Sequence, residues 1–169
     1  MVIMIEVLRL GHRLGRDARI STHCGLVARA FGASGIIYSG DRDKKMMESV
    51  RAVTREWGGP FSIVYEKNWK KVVRDFRGTK IHLTMYGMPL EKKIGELKKK
   101  RNILAVVGGE KVPGEIYEMA EYNIAVTNQP HSEIAALGVF LNEFKSNRKF
   151  KNARLRVIPQ ERGKKISEN

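Results

Sequence analysis

The sequence predicts an α/β protein, a mainly parallel sheet covered by helices on both faces. Three observations carry that expectation. Six short runs of Ile, Val, Leu and Ala alternate with segments whose apolar residues recur at helical spacing. The strand runs are continuous rather than alternating, which is the pattern of strands buried on both faces between helices. The chain has 169 residues, 42% hydrophobic and 30% charged, which suits one compact core and argues against disorder.

Each element has a local reason. Residues 2–10 are apolar and β-branched and read as a buried strand. A helix over 22–31 follows, with Leu26, Ala30 and Phe31 on one face and Gly32 closing it. Ile36, Ile37 and Tyr38 form a short strand ended by Ser39-Gly40. Asp41 then reads as the N-cap of a helix with Met46, Met47, Val50, Val53 and Trp57 inward, and Gly58-Gly59-Pro60 stops it. A strand over 61–65 precedes a helix marked by Trp69, Val72, Val73 and Phe76. A strand over 80–85 leads into Tyr86-Gly87-Met88-Pro89, and Pro89 suits the first turn of a helix carrying Leu90, Ile94 and Leu97. Residues 103–107 form a buried strand before Gly108-Gly109. A short helix over 114–120, a strand over 124–126 and a helix capped by Ser132 and running to about Phe144 complete the series. The tail differs. Leu155 and Val157, then a turn over 159–163 and Ile166, read as a β-hairpin. The expected division is an α/β domain over 1–146 and a basic hairpin extension over 147–169.

Charge narrows the function. Lys and Arg number 32 against 18 Asp and Glu, a net of +14, which favours a polyanionic partner. The excess is patchy. Arg9, Arg13, Arg16 and Arg19 cluster near His12; residues 92–101 hold six basic side chains; residues 145–169 hold nine basic and two acidic ones. Residues 121–144, by contrast, contain three Glu and no Lys or Arg. Such clustering is the footprint of a nucleic-acid binder, although the 92–101 run also reads as the solvated face of a helix. No run is long enough to span a membrane, and the first residues lack a signal-peptide cleavage pattern. The single Cys24 excludes an intrachain disulfide and any multi-cysteine metal site, which fits a reducing cytoplasm, and as a lone thiol it reads as a small core residue.

Parallel α/β sheets bind ligands at the carboxyl ends of their strands. No dinucleotide fingerprint, P-loop, nucleophile elbow or zinc spacing occurs there. Three late strands instead end in unusual loops, Leu83-Thr84-Met85-Tyr86-Gly87, residues 107–113 and residues 126–132. Their glycines let backbone approach a ligand, and the segment after Lys111 is free of basic side chains, as a pocket for a cationic cofactor would be. Singly, each loop also reads as an ordinary βα turn.

At these residues the chain resembles a family. Leu8-Arg9-Leu10-Gly11-His12-Arg13, followed by Arg16-Asp17, Arg19 and Thr22-His23, is similar to the opening of the archaeal tRNA (cytidine-56-2′-O)-methyltransferases, and residues 107–113 and 127–137 are similar to their later motifs. These belong to the SPOUT, or α/β-knot, superfamily, and the resemblance covers nearly the whole chain. It implies an S-adenosylmethionine-dependent enzyme that methylates the ribose 2′-hydroxyl of a T-loop cytidine, a deep trefoil knot in the carboxyl half and a homodimer; the sequence itself names no metal, and methyl transfer needs none in principle. It places the cofactor on Leu83, on Gly109, Glu110, Lys111, Val112 and Pro113, and on Thr127, Asn128, Gln129, Pro130, His131, Ser132, Glu133 and Ile134. Residues 134–141 become a candidate dimer helix, though packing within one protomer serves them equally.

The commoner SPOUT ribose methyltransferases carry an arginine in the first helical motif where this chain has Leu26; Arg19 lies earlier and Arg29 later. We assign catalysis to Arg19, holding a phosphate or the developing alkoxide, since arginine is too basic to accept a proton. His23 is the candidate base, and Arg9, His12, Arg13 and Arg16 are the expected RNA contacts. Two other readings remain at this point: a SPOUT enzyme acting on another tRNA or rRNA nucleotide, and a non-catalytic RNA-binding protein. Binding of S-adenosylmethionine separates the second from both enzymes.

Overall fold

The computed structural model describes residues 3–109, 111–144 and 150–168. Six parallel strands form one sheet in the order β3-β2-β1-β5-β4-β6, where β1 is Met4–His12, β2 Gly35–Gly40, β3 Ser62–Tyr65, β4 Thr79–Pro89, β5 Asn102–Gly108 and β6 Tyr122–Ala125. Helices α1 (Ala18–Ala30), α2 (Lys44–Trp57), α3 (Trp69–Asp75), α4 (Leu90–Leu97), α5 (Ile116–Met119) and α6 (Glu133–Phe144) connect or follow them. A separate antiparallel pair, β7 (Leu155–Ile158) and β8 (Lys165–Glu168), forms the tail hairpin.

The continuous apolar strands fill two cores. In β1 and β5, Ile5, Val7, Ile103, Ala105 and Val107 join the larger core with residues of α1, α2, α4 and α6. The intervening Leu8, Leu10, Leu104 and Val106 join a smaller core with Val73 of α3 and Ile116 of α5. Side chains alternate across a strand, so a strand with helices on both faces needs apolar residues at every position.

Three local readings shift. Helix α1 begins at Ala18, a turn earlier than its apolar spacing suggests; Asp17 at its N-cap is buried, and its carboxylate accepts the Arg13 N–H of the preceding loop at 3.1 Å rather than a helical N–H. Gly32, at φ +84°, turns the chain after it. The cap of α2 is Asp43, whose Oδ1 accepts the Met46 N–H at 2.9 Å; Asp41 instead accepts the Leu14 N–H at 3.1 Å. Strand β4 does not end near Met85. It pairs with β6 at Leu83↔Ile124, leaves the ladder, and pairs again at Met88↔Ile124 and Pro89↔Ala125. Residues 84–87 are thereby extruded at the carboxyl edge. Gly87 makes this possible, because a Cβ there would collide with the backbone of Asn123 and Ile124.

Candidate active site

Two adjoining recesses open at the carboxyl edge of the sheet. One, of about 420 Å³, takes its walls from the extruded residues of β4 (Leu83, Thr84, Met85, Tyr86), from Gly108, Gly109 and Val112 after β5, and from Pro130, His131 and Glu133 before and at the start of α6. Among the described residues, no Lys or Arg lines it. The other, of about 260 Å³, is lined by Arg9, Arg13, Arg16, Asp17, Ile20 and Lys111. Gly109 and Glu133 belong to both.

The neutral recess is held by polar bonds behind its walls. Asn128 Nδ2 donates to the carbonyls of Met85 at 2.7 Å and Gly87 at 3.0 Å, fixing the extruded loop. Tyr117 Oη lies 3.2 Å from Thr84 Oγ1, and the Tyr117 ring meets the edge of His82 at 4.7 Å. His82 Nδ1 lies 3.0 Å from Asn123 Oδ1. Burial lowers the His82 pKa below the ordinary imidazole value, so this side chain enters the lining uncharged at neutral pH. At the other wall, Ser132 Oγ accepts the Ile134 N–H at 3.1 Å, the expected cap of α6.

Where the recesses meet, Arg9 Nη2 lies 3.2 Å from Glu133 Oε1. The Arg9 guanidinium is 2% exposed and its Nη1 donates to the Leu10 carbonyl. Glu133, in the first turn of α6, also gains from the helix dipole. This pair ties β1 to the entry of α6 and puts one fixed carboxylate at the rim of the neutral recess.

The sequence-based site residues separate into groups. Arg13 and Arg16 have side chains that are 59% and 60% exposed, lie against Asp17 at 3.6 Å and 3.7 Å, and line the cationic recess. Arg9 and His12 do not sit where RNA contacts were expected. Arg9 is buried under Glu133, and His12 is 1% exposed, with Nδ1 2.7 Å from Ser21 Oγ and Nε2 3.3 Å from Asp43 Oδ2. Both lie on β1 and are almost fully buried, and their polar bonds run to neighbouring elements of the frame. The buried Ser21–His12–Asp43 chain joins the end of β1 to α1 and to the cap of α2. Arg19 and His23 are exposed and share a different recess, of about 310 Å³, between α1 and α2.

Of the expected cofactor residues, Leu83, Gly109, Val112, Pro130, His131 and Glu133 line the neutral recess. Lys111 faces the cationic one, and Pro113 lines a neighbouring groove with His12, Arg13 and Arg16. Asn128 and Ser132 support the walls from outside, Ile134 packs on the core, and Thr127 and Gln129 are outside the lining. Glu110 lies outside the described residues. Thr84, Met85 and Tyr86 line the neutral recess as well, from the loop whose sequence is unusual but whose side chains carry no cofactor motif. His82, Tyr117 and Ala136 gave no signal, because a strand interior, a four-residue helix and a core helix bring them in. Cys24 is fully buried, and burial pushes its thiol up to about 12, so it is no nucleophile.

The recesses fit two ligand chemistries: a neutral-to-cationic group beside Glu133, and a phosphate beside Arg13, Arg16 and Lys111. Residues 57–167 match the family model described as tRNA ribose 2′-O-methyltransferase, aTrm56. The chain is 51% identical over 173 residues to the tRNA (cytidine(56)-2′-O)-methyltransferase of Pyrococcus horikoshii, covering 98% of this chain and 85% of that one. It is 55% identical to the enzyme of the same name from Pyrococcus abyssi, with 98% and 88% covered. Among solved structures, the SpoU methyltransferase AviRb from Streptomyces viridochromogenes, in complex with AdoMet, superposes with a TM-score of 0.61 at 18% identity, over 85% of this chain and 57% of that one. The A. aeolicus TrmH/SpoU tRNA modifying enzyme gives 0.59 at 18% identity, over 83% and 73%. The present chain thus spans little more than half of AviRb, and these two likenesses concern the fold.

Proposed function

The chain belongs to the tRNA ribose 2′-O-methyltransferase family, and from that premise we propose that it transfers a methyl group from S-adenosylmethionine to the ribose 2′-hydroxyl of cytidine 56 in the tRNA T-loop. The observation that carries the reading is the junction, at Gly109 and Glu133, of a recess without Lys or Arg among the described residues and a cationic one. A methyl donor and a phosphodiester need these two environments side by side.

The neutral recess fits the cofactor. Its volume lies in the range of small-molecule sites, its lining joins apolar side chains and two glycines to polar groups of Thr84, Tyr117 and His131, and its one carboxylate complements a cationic sulfonium. When bound, S-adenosylmethionine supplies an electrophilic methyl group with a neutral thioether as leaving group. Leu83 and the 84–86 wall, Gly109, Val112, Pro130 and His131 would hold it, with Asn128 and Ser132 keeping those walls in place. Arg13, Arg16 and Lys111 bind the backbone phosphates beside the target ribose and so orient its 2′-oxygen. Arg19 neutralises the developing alkoxide or its neighbouring phosphate, and His23, one helical turn further on the same exposed face, takes the hydroxyl proton.

Arg19 and His23 face a recess other than the cofactor cleft of their own protomer. The reading therefore includes a homodimer in which they serve the cleft of a second copy. It also includes the deep trefoil knot of the superfamily in the carboxyl half, supported by the insertion of β4 between β5 and β6. The division into a catalytic domain over 1–146 and a basic extension over 147–169, and a cytoplasmic location, complete it.

The test is mass spectrometry of undermodified tRNA after incubation with enzyme and S-adenosylmethionine. One added methyl on the ribose of C56 is expected. A methyl elsewhere would retain the enzyme class and reject the site; no methyl, together with no cofactor binding by calorimetry, would leave a non-catalytic RNA binder.

A further inference from the structure

The β7–β8 hairpin takes no part in either recess, and its construction is unusual for a two-stranded sheet. Isolated hairpins are marginal in water, and this one is fixed at its root. Gly59 and Lys151 exchange backbone bonds of 2.9 and 2.7 Å, the Arg154 N–H donates to the Glu56 carbonyl at 2.9 Å, and the Arg154 side chain pairs with Glu56 at 2.9 Å. The Arg29 guanidinium, which donates to the Gly58 carbonyl at 2.6 Å, stacks over the Phe150 ring at 4.5 Å. Beyond this root, Arg156, Arg162, Lys164 and Lys165 are exposed, and none has an acidic partner among the described residues. Strand register puts Arg156 opposite Ser167 and Lys165 opposite Ile158, so both cations share one face, with Arg162 and Lys164 at the tip. A rigidly mounted array of unpaired cations is a template for a phosphate backbone rather than a solubilising tail.

Its place in the fold sets what it can touch. The root sits where α1 and α2 end, at the amino edge of the parallel sheet, whereas the recesses lie at the carboxyl edge. Arg19 and the Arg29 anchor are separated by about 15 Å along α1 alone. A compact loop held at the cleft cannot reach the hairpin within one protomer, but a long folded RNA can.

We propose that the β7–β8 hairpin is a second RNA-contacting surface, which holds the backbone of the substrate tRNA at a point remote from the methylated nucleoside. This rests on the tRNA reading above. The hairpin supplies affinity and register without entering the chemistry.

The experiment compares the intact protein with R156Q/R162Q/K164Q/K165Q on full-length undermodified tRNA. The expected result is a rise in KM of at least tenfold with kcat within twofold. The log–log salt slope of tRNA binding becomes shallower by about 2 to 3. Cofactor affinity by calorimetry is unchanged, and backbone protection from hydroxyl radicals is lost away from the T-loop. The variant R156K/R162K, which keeps the charge, retains the original KM. Unchanged KM and salt slope would overturn the proposal. So would a drop in kcat alone, or a change of oligomeric state in sedimentation, which would make the hairpin a protein interface. If the intact protein methylates no tRNA, the function reading fails, while the salt slope of tRNA binding still judges the hairpin.

Discussion

The two recesses that meet at Glu133 are built by opposite means. The neutral one owes its shape to backbone: a strand that leaves and re-enters its ladder, a glycine packed on β6, and Asn128 bonded to two carbonyls. The cationic one owes its character to long exposed side chains that lean on a single buried Asp17. Binding by fit to the first should be indifferent to salt, whereas binding by charge to the second should be strongly screened. Each ligand chemistry thus has its own physics, and the Arg9–Glu133 pair keeps the two in contact.

The largest effect that tests this division is at Arg19. Arg19→Ala is expected to lower kcat about 10²–10³-fold with cofactor affinity unchanged in calorimetry. An equal loss of cofactor affinity would move Arg19 into the neutral recess and break the comparison. Mixing this variant with one disabled in the cofactor walls should restore activity if the arginine works across a dimer.

Salt comes next. Contact with roughly six phosphates predicts that tRNA affinity falls at a log–log slope of about −4 to −5, while S-adenosylmethionine affinity stays flat over the same range. A flat tRNA response would detach the charge excess from the binding surface.

The pair at the junction should be seen in stability. Glu133→Gln leaves the buried Arg9 charge uncompensated and is expected to cost about 3 kcal/mol in urea unfolding. Adding Arg9→Met should return most of that loss, because the buried charge is then gone. If the single variant is neutral, the junction is not a structural tie.

The smallest effect concerns His82. Its pKa is lowered by burial, so below the unfolded-state pKa the unfolded chain binds more protons than the folded one, and stability falls as pH falls. His82→Gln should lose less stability between pH 7 and pH 5 than the parent in urea titrations. Parallel losses would show that His82 is not the group responsible.

Much of this was legible in the sequence. The six strands, the Ser132 cap, the stop at Gly58 and the tail hairpin follow from residue chemistry within a few positions, because caps, glycines and apolar runs act locally. The three loops after β4, β5 and β6 could be singled out for the same reason. The fate of individual cations could not. Arg9 and Arg13 look alike along the chain, yet one is 2% exposed and the other 59%. His12, expected at the RNA, closes a buried chain to Ser21 and Asp43.

By itself the sequence determined the fold class, the geography of charge and the family, since these depend on composition, period and short motifs. The tertiary structure alone decided which arginines are framework and which are free. It also decided that β4 re-enters its ladder, and that Tyr117 and His82 reach the neutral recess while Arg19 does not. These outcomes depend on strand order and on what packs above each side chain, and both are set by contacts between residues distant in the chain.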